Sequence, residues 1–280
     1  MKGSFILDQI LFLQLMPSGS DTNAQWGIYT GKYRILSGIP AMLAAAACTG
    51  LVPSLSASAL GMNMGRAKEK AFLMLKLSLA VSLPLAVYFA ITADNLVPAL
   101  FSAGNMETAA RLLRIGSGAI VLQALAVAVS CILHGLEREK LLFGSAGISL
   151  IVHVILLYFL LHSFGLGIEG VVYAVTGLYA VFVILGLVCA FRTISWRGDW
   201  GRLIGIPVIS SAGMGVVVYL MNRFLAAVMG TGLLCLLCFA AGLIIFVCLM
   251  LSLRGVTQRD LKSIPGGGVF LAVGRFLRFM

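Results

Sequence analysis

Hydrophobic and polar positions alternate along this chain on a long scale: extended apolar runs are joined by short polar connections. Seven runs, at 36–60, 71–93, 109–133, 141–161, 170–191, 203–221 and 231–253, each reach the roughly 20 residues that a helix needs to cross a bilayer core. The pattern predicts an all-α, polytopic transmembrane bundle of about seven spans. It divides the chain into residues 1–34, a partial helix with an external segment, a bundle over 35–253, and a cytoplasmic tail over 254–280.

The first apolar run differs from the others. Residues 5–16, FILDQILFLQLM, reach about 18 Å as a helix, against a hydrocarbon core about 30 Å thick. They read as half of a spanning helix, so the chain is expected to begin inside a structural element. Asp8 and Gln9 within this run are costly in lipid and are expected to face protein or a water-filled cavity.

The polar connections fall into two sets. One holds Arg66, Lys68 and Lys70, then Arg138 and Lys140, then Arg192, Arg197 and Arg202, and then Arg254, Arg259, Lys262, Arg275 and Arg278. The other is poor in basic residues: 92–108 and 162–169 have none, and 222–230 has Arg223 alone. Basic connections stay on the cytoplasmic side, which predicts a cytoplasmic carboxyl terminus and an external start. Lys32 and Arg34 stand against that bias, on the expected outer side of the first span.

Composition supports lipid as the main solvent: 60% of residues are hydrophobic and 11% charged, where soluble domains carry about 25% charge. The +10 net charge is scattered over loops and tail, unlike the dense basic stripe that tracks nucleic acid. It suits orientation and contact with anionic lipid instead. All six cysteines lie within the apolar runs, so Cys235 and Cys238, despite their CxxC spacing, read as packed helix residues rather than a redox or zinc pair. No secretory signal is expected at the start, where Lys2 is soon followed by Asp8 and Gln9.

Within the runs, Pro40 and Pro53 share one span, and Pro84 and Pro207 fall in later ones. Each removes a backbone hydrogen bond and tends to kink its helix. Two prolines bordered by Ser37, Gly38, Thr49, Gly50, Ser54 and Ser56 predict a helix bent beside a cavity. Small residues at 78/82, 186/190 and 201/205 permit close helix approach. In the tail, Val269, Val273, Phe276 and Leu277 line one helical face beside Arg275 and Arg278, as in an interfacial amphipathic helix.

Candidate chemistry is sparse. The three histidines, His134, His153 and His162, match no metalloprotease, nucleotide-binding or hydrolase motif, so no catalytic residues, metal or cofactor are expected. His153 and His162 lie nine residues apart on opposite helix faces and cannot share a metal. His153, near the middle of its span, is either a hydrogen-bonded core residue or a functional intramembrane group. Arg111 and Arg114 share a face at the opening of the third span, and Gln123 continues it inward. Such a pair either snorkels to the interface or holds a phosphate-bearing head group.

The stretches LDQILFLQL, WGIYTGKYRILSGIPAMLAAAACTGLVPSLSAS, NLVPALFSAG, ILHGLEREKLLFG, GLGIEGVVYA and RDLKSIPGG occur in this order over nearly all 280 residues. Together they resemble the carboxyl-terminal half of the multidrug/oligosaccharidyl-lipid/polysaccharide exporter superfamily, in its stage V sporulation protein B and lipid II flippase-like branch. The chain departs from that pattern at His134, where a Gln is usual, and at His153, where a Lys is frequent. The resemblance implies one lobe of a two-lobed transporter plus two further helices, in a bacterial cell membrane. It also implies Asp8 as a cavity-facing acid and Arg34 as a base at the cavity mouth.

The function implied is the flipping of a lipid-linked saccharide or polysaccharide precursor by alternating access, with no bond chemistry. Its partners would be the bilayer, the lipid-linked substrate and a missing amino-terminal lobe, with no nucleic acid. Two alternatives stand beside it: a cation-coupled multidrug antiporter of the same superfamily, which needs an acid buried mid-helix, and a non-transporting membrane scaffold. A membrane-embedded transferase ranks last, having no carboxylate or histidine cluster to support it.

Overall fold

The computed structural model describes residues 2–16, 20–102, 104–194, 201–226, 229–253 and 255. The expected interfacial helix in the tail lies outside the described residues. Those described are almost entirely helical. In order they form α1 (Lys2–Leu15), α2 (Ser20–Ile28), a π-helical segment (Tyr29–Tyr33), α3 (Arg34–Thr49), α4 (Val52–Leu60), α5 (Met64–Leu100) and α6 (Met106–Ile115). There follow α7 (Ser117–Gly135), α8 (Glu139–His162), α9 (Gly167–Ile194), a second π-helical segment (Gly201–Gly205), α10 (Ile206–Leu225) and α11 (Thr231–Ser252).

Six helices among the described residues are long and apolar enough to cross a membrane, and residues 21–49 with α4, bent by 42° at the break, reach that length and hydropathy only when taken together, as a broken span or a re-entrant loop. The protein is thus a multi-pass membrane protein of the all-α class. The bend falls at Gly50 and Leu51, with Pro53 in the first turn of α4, where a missing N–H costs nothing. Pro40 and Pro84 lie inside α3 and α5, which continue past them.

Two spans depart from the expected bounds. Helix α5 has 37 residues, about 55 Å of rise, so it projects well beyond a bilayer core. The expected span at 109–133 is two helices: α6 ends at Ile115 and α7 begins at Ser117. Gly116 lies at that junction because a Cβ there would overlap the Tyr33 ring.

The core forms two clusters along α5. One gathers Leu73, Met74 and Leu79 with Leu51, Leu55, Ile132, Leu133 and Phe182. The other gathers Tyr88, Phe89 and Val97 with Phe12, Trp26, Leu112, Leu157 and Val218. Helix α7 packs on α3, α5 and α9, α8 packs on α9, and α10 with α11 packs on α5. Close approach of α9 to α7 requires Gly186, whose Cβ would overlap Val129.

Contacts also sort the connections by end. Lys32 meets Met106, Asp94 meets Arg114, Asn95 meets Asn222 and Glu169 meets Arg111, which gathers the base-poor connections at one end. At the other, Val52 and Ser56 border the residue 134–141 turn, and Ile194 and Leu203 join the Leu51–Leu55 cluster.

Candidate functional site

The polar centre begins at α1, whose 14 residues rise about 21 Å, too little to cross a bilayer core. Helix α1 leans on α8 and α9 and stacks Phe5 and Phe12 on Trp26 of α2, with ring centroids 5.6 and 5.5 Å apart. Its one acid, Asp8, is buried and faces His153 in the middle of α8. The His153 Nε2 lies 2.5 Å from Asp8 Oδ1, and Nδ1 lies 2.9 Å from the Ala174 carbonyl of α9.

Proton bookkeeping follows from this geometry. A carbonyl oxygen only accepts, so His153 Nδ1 carries a hydrogen. Nε2 and Asp8 then share a single proton, as imidazolium with carboxylate or imidazole with carboxylic acid. Either arrangement is neutral overall, which suits a pair removed from water.

Beside the pair lies a cavity of about 40 Å³ lined by Asp8, Tyr29, Tyr33, Arg34, Gln123 and Tyr179, with Ser4 and Ser37. It has room for at least one water among polar partners. The π-helical segment buries Tyr29 and Tyr33 here, stacked with centroids 5.5 Å apart; such segments insert one extra residue per turn and frequently mark functional positions. Arg34 is exposed on one side, and its guanidinium carbon sits 3.8 Å above the centre of the Phe5 ring, a cation–π contact between α3 and α1.

Of the residues singled out in the sequence, Asp8, His153, Arg34 and Gln123 therefore converge. Gln9 is half-buried on α1 and does not line the cavity. Arg111 and Arg114 are elsewhere: Arg111 Nε lies 2.8 Å from Glu169 Oε1 of α9, and Arg114 pairs with Asp94 of α5. They do not open the third span or share a continuous helix with Gln123, because α6 stops short of α7. Each guanidinium is matched by a carboxylate, tying amphipathic α6 to two long helices.

Spacing alone does not single out Tyr29, Tyr33 and Tyr179, and two lysines, Lys32 and Lys76, are buried. Lys32 is not a loop cation: its Nζ lies 3.2 Å from Met106 Sδ and 5.8 Å from the centre of the Phe101 ring. Lys76 is buried in α5, its Nζ 6.0 Å from the centre of the Phe72 ring. A lysine inside the run at 71–93 was a visible signal; the inward turn of the tyrosines depends on the π-helical segment, which spacing does not reveal.

A larger cleft of about 890 Å³ lies at the opposite end, lined by Val52, Ser56, His134, Glu137, Arg138, Glu139 and Lys140 among others. His134 Nδ1 is 3.2 Å from Glu139 Oε1. Among the described residues no three His, Cys, Asp or Glu side chains gather in a way that could hold a metal ion.

The described residues thus define a multi-pass helical bundle with one short helix seated on a buried polar pair. Among solved structures, the chain is similar to the lipid II flippase MurJ in its inward closed conformation, with TM-score 0.65 and 14% identity over 88% of this chain and 51% of that one. It is also similar to a MATE structure in the bent conformation, with TM-score 0.51 and 16% identity over 95% of this chain and 64% of that one. The fold is thus shared with part of each of these structures, and the chain spans about half the length of the flippase. No family model and no curated protein matches it.

Proposed function

We propose that this chain is one lobe of a transporter that moves a lipid-linked saccharide across a bacterial cell membrane by alternating access, working against a second lobe. The observation that carries this reading is the fold shared with the lipid II flippase over 88% of the chain. Arg34, at the edge of the polar cavity with Gln123 behind it, is the base that would meet a pyrophosphate. The acyl chains would stay in lipid, and no bond is made or broken.

A second reading, a cation-coupled antiporter, gains from Asp8. In the sequence this acid sits close to one end of a short run, but in the structure it is buried against mid-α8, the setting such coupling needs. Photo-crosslinking separates the two. A photoactivatable polyprenyl-pyrophosphate saccharide should label peptides of α3 and α7 in detergent-solubilised protein, and unlabelled lipid-linked saccharide should compete. Labelling by a lipophilic cation probe alone, displaced on acidification, would favour the antiporter; labelling by neither would leave a scaffold.

A further inference from the structure

We infer that Phe5 is a positioning residue for oxyanion capture: its ring holds the Arg34 guanidinium by one face and leaves the N–H edge to a phosphate or diphosphate at the cavity mouth. This role deepens the proposed function and rests on its assignment of Arg34.

A guanidinium has two chemically distinct surfaces. Its faces stack on aromatic rings, while its edge carries five N–H donors in a fork that matches phosphate oxygens two at a time. In Arg34 the two surfaces are divided. The guanidinium carbon lies 3.8 Å above the centre of the Phe5 ring, and the side chain makes no hydrogen bond or ion pair among the described residues. Arg34 stands near the middle of the helical stretch Asp21–Thr49, where a charged group with an unused edge is costly and calls for a partner. Phe5 is fixed from behind by Trp26, with ring centroids 5.6 Å apart and planes 25° from parallel. The ring comes from α1 and the guanidinium from α3, so the site exists only where these two helices meet.

The neighbouring acid does not compete for that edge. Asp8 lines the same cavity but is taken up by His153 at 2.5 Å, which leaves Arg34, the one cationic group on the cavity wall, free to meet a ligand. The rest of the wall can donate as well: the side chains of Tyr29, Tyr179 and Gln123 make no hydrogen bond among the described residues, and each carries an O–H or N–H. The cavity, about 40 Å³, has room for one water or one oxygen of similar size. A head group therefore stays at the exposed outer edge of Arg34 and points one oxygen inward. A diphosphate carries several such oxygens close together, so two can engage the fork while a third faces the tyrosines.

The test measures binding of phosphorus-32-labelled inorganic pyrophosphate to the full chain in nanodiscs of zwitterionic lipid, with nitrogen-15 spectra of labelled arginine recorded on ligand-free protein. Phe5→Leu keeps apolar bulk and removes the π face. It should weaken pyrophosphate binding about fivefold, the scale of one cation–π contact, and move the Arg34 Nε–H signal out of the ring-current field. Phe5→Tyr, which restores a ring, should recover both readouts. On an Arg34→Ala background Phe5→Leu should have no further effect. Absence of pyrophosphate binding by the unsubstituted chain, a Phe5→Leu variant that binds as tightly as that chain, or a Phe5→Leu loss that persists on Arg34→Ala would each overturn the inference. The same variants titrated with a polyprenyl-pyrophosphate saccharide separate it from the transport reading: binding of pyrophosphate without binding of the saccharide supports the role of Phe5 and goes against a saccharide substrate.

Discussion

Single residues carry much of the packing argument. Gly116 is the clearest: with no Cβ it lets Tyr33 cross the α6–α7 junction, and Tyr33 in turn lines the polar cavity. Gly116→Ala forces Tyr33 aside, an overpacking cost of about 1–3 kcal/mol. Its unfolding temperature in detergent should fall by several degrees, and Tyr33→Leu on that background should recover part of the loss. Arg34 makes the opposite kind of prediction. Arg34→Ala should leave stability nearly unchanged but weaken capture of a pyrophosphate-linked saccharide about tenfold, the effect of losing one charge-assisted contact; Arg34→Lys should recover part of it. By contrast, Arg111 and Arg114 pair with Glu169 and Asp94 while their own side chains stay largely exposed. The double alanine variant should lose about 1 kcal/mol or less per pair and, co-reconstituted with an amino-terminal lobe, should match the unsubstituted chain in a flux assay.

At the scale of elements, the apolar runs located nearly every long helix, because length and hydrophobicity decide membrane crossing. The breaks were harder. Pro40 and Pro53 look alike in sequence, but the bend belongs to Pro53, which can cap a new helix after Gly50 and Leu51. The interruption at Gly116 was hidden inside a run at 109–133, since it depends on Tyr33 arriving from a distant helix. Asp8 and His153 each stood out as polar groups in apolar surroundings, but their pairing could not be read from one dimension: 145 residues separate them. The alternation of basic and base-poor connections was legible and maps onto opposite ends of the bundle. If the basic end is cytoplasmic, single cysteines at 66, 138 and 192 on a cysteine-free background should resist an impermeant thiol reagent in intact cells, and one at 102 should react. The reverse pattern would invert the orientation.

The whole molecule has a helical bundle with its polar centre beside α1, α3, α7 and α9, and it spans about half the length of the flippase it resembles. Alternating access needs a second wall against which such a centre can open and close. On the proposed reading, this chain is one lobe of a lipid-linked saccharide flippase that works with another. The most direct measurement reconstitutes purified protein in liposomes carrying a fluorescent lipid-linked saccharide and follows loss of outer-leaflet signal to an impermeant quencher. The 280-residue chain alone should give no flipping above empty vesicles, and co-reconstitution with an amino-terminal lobe of the same transporter type should restore it. Robust flipping by the chain alone would contradict the account and make it a self-sufficient transporter.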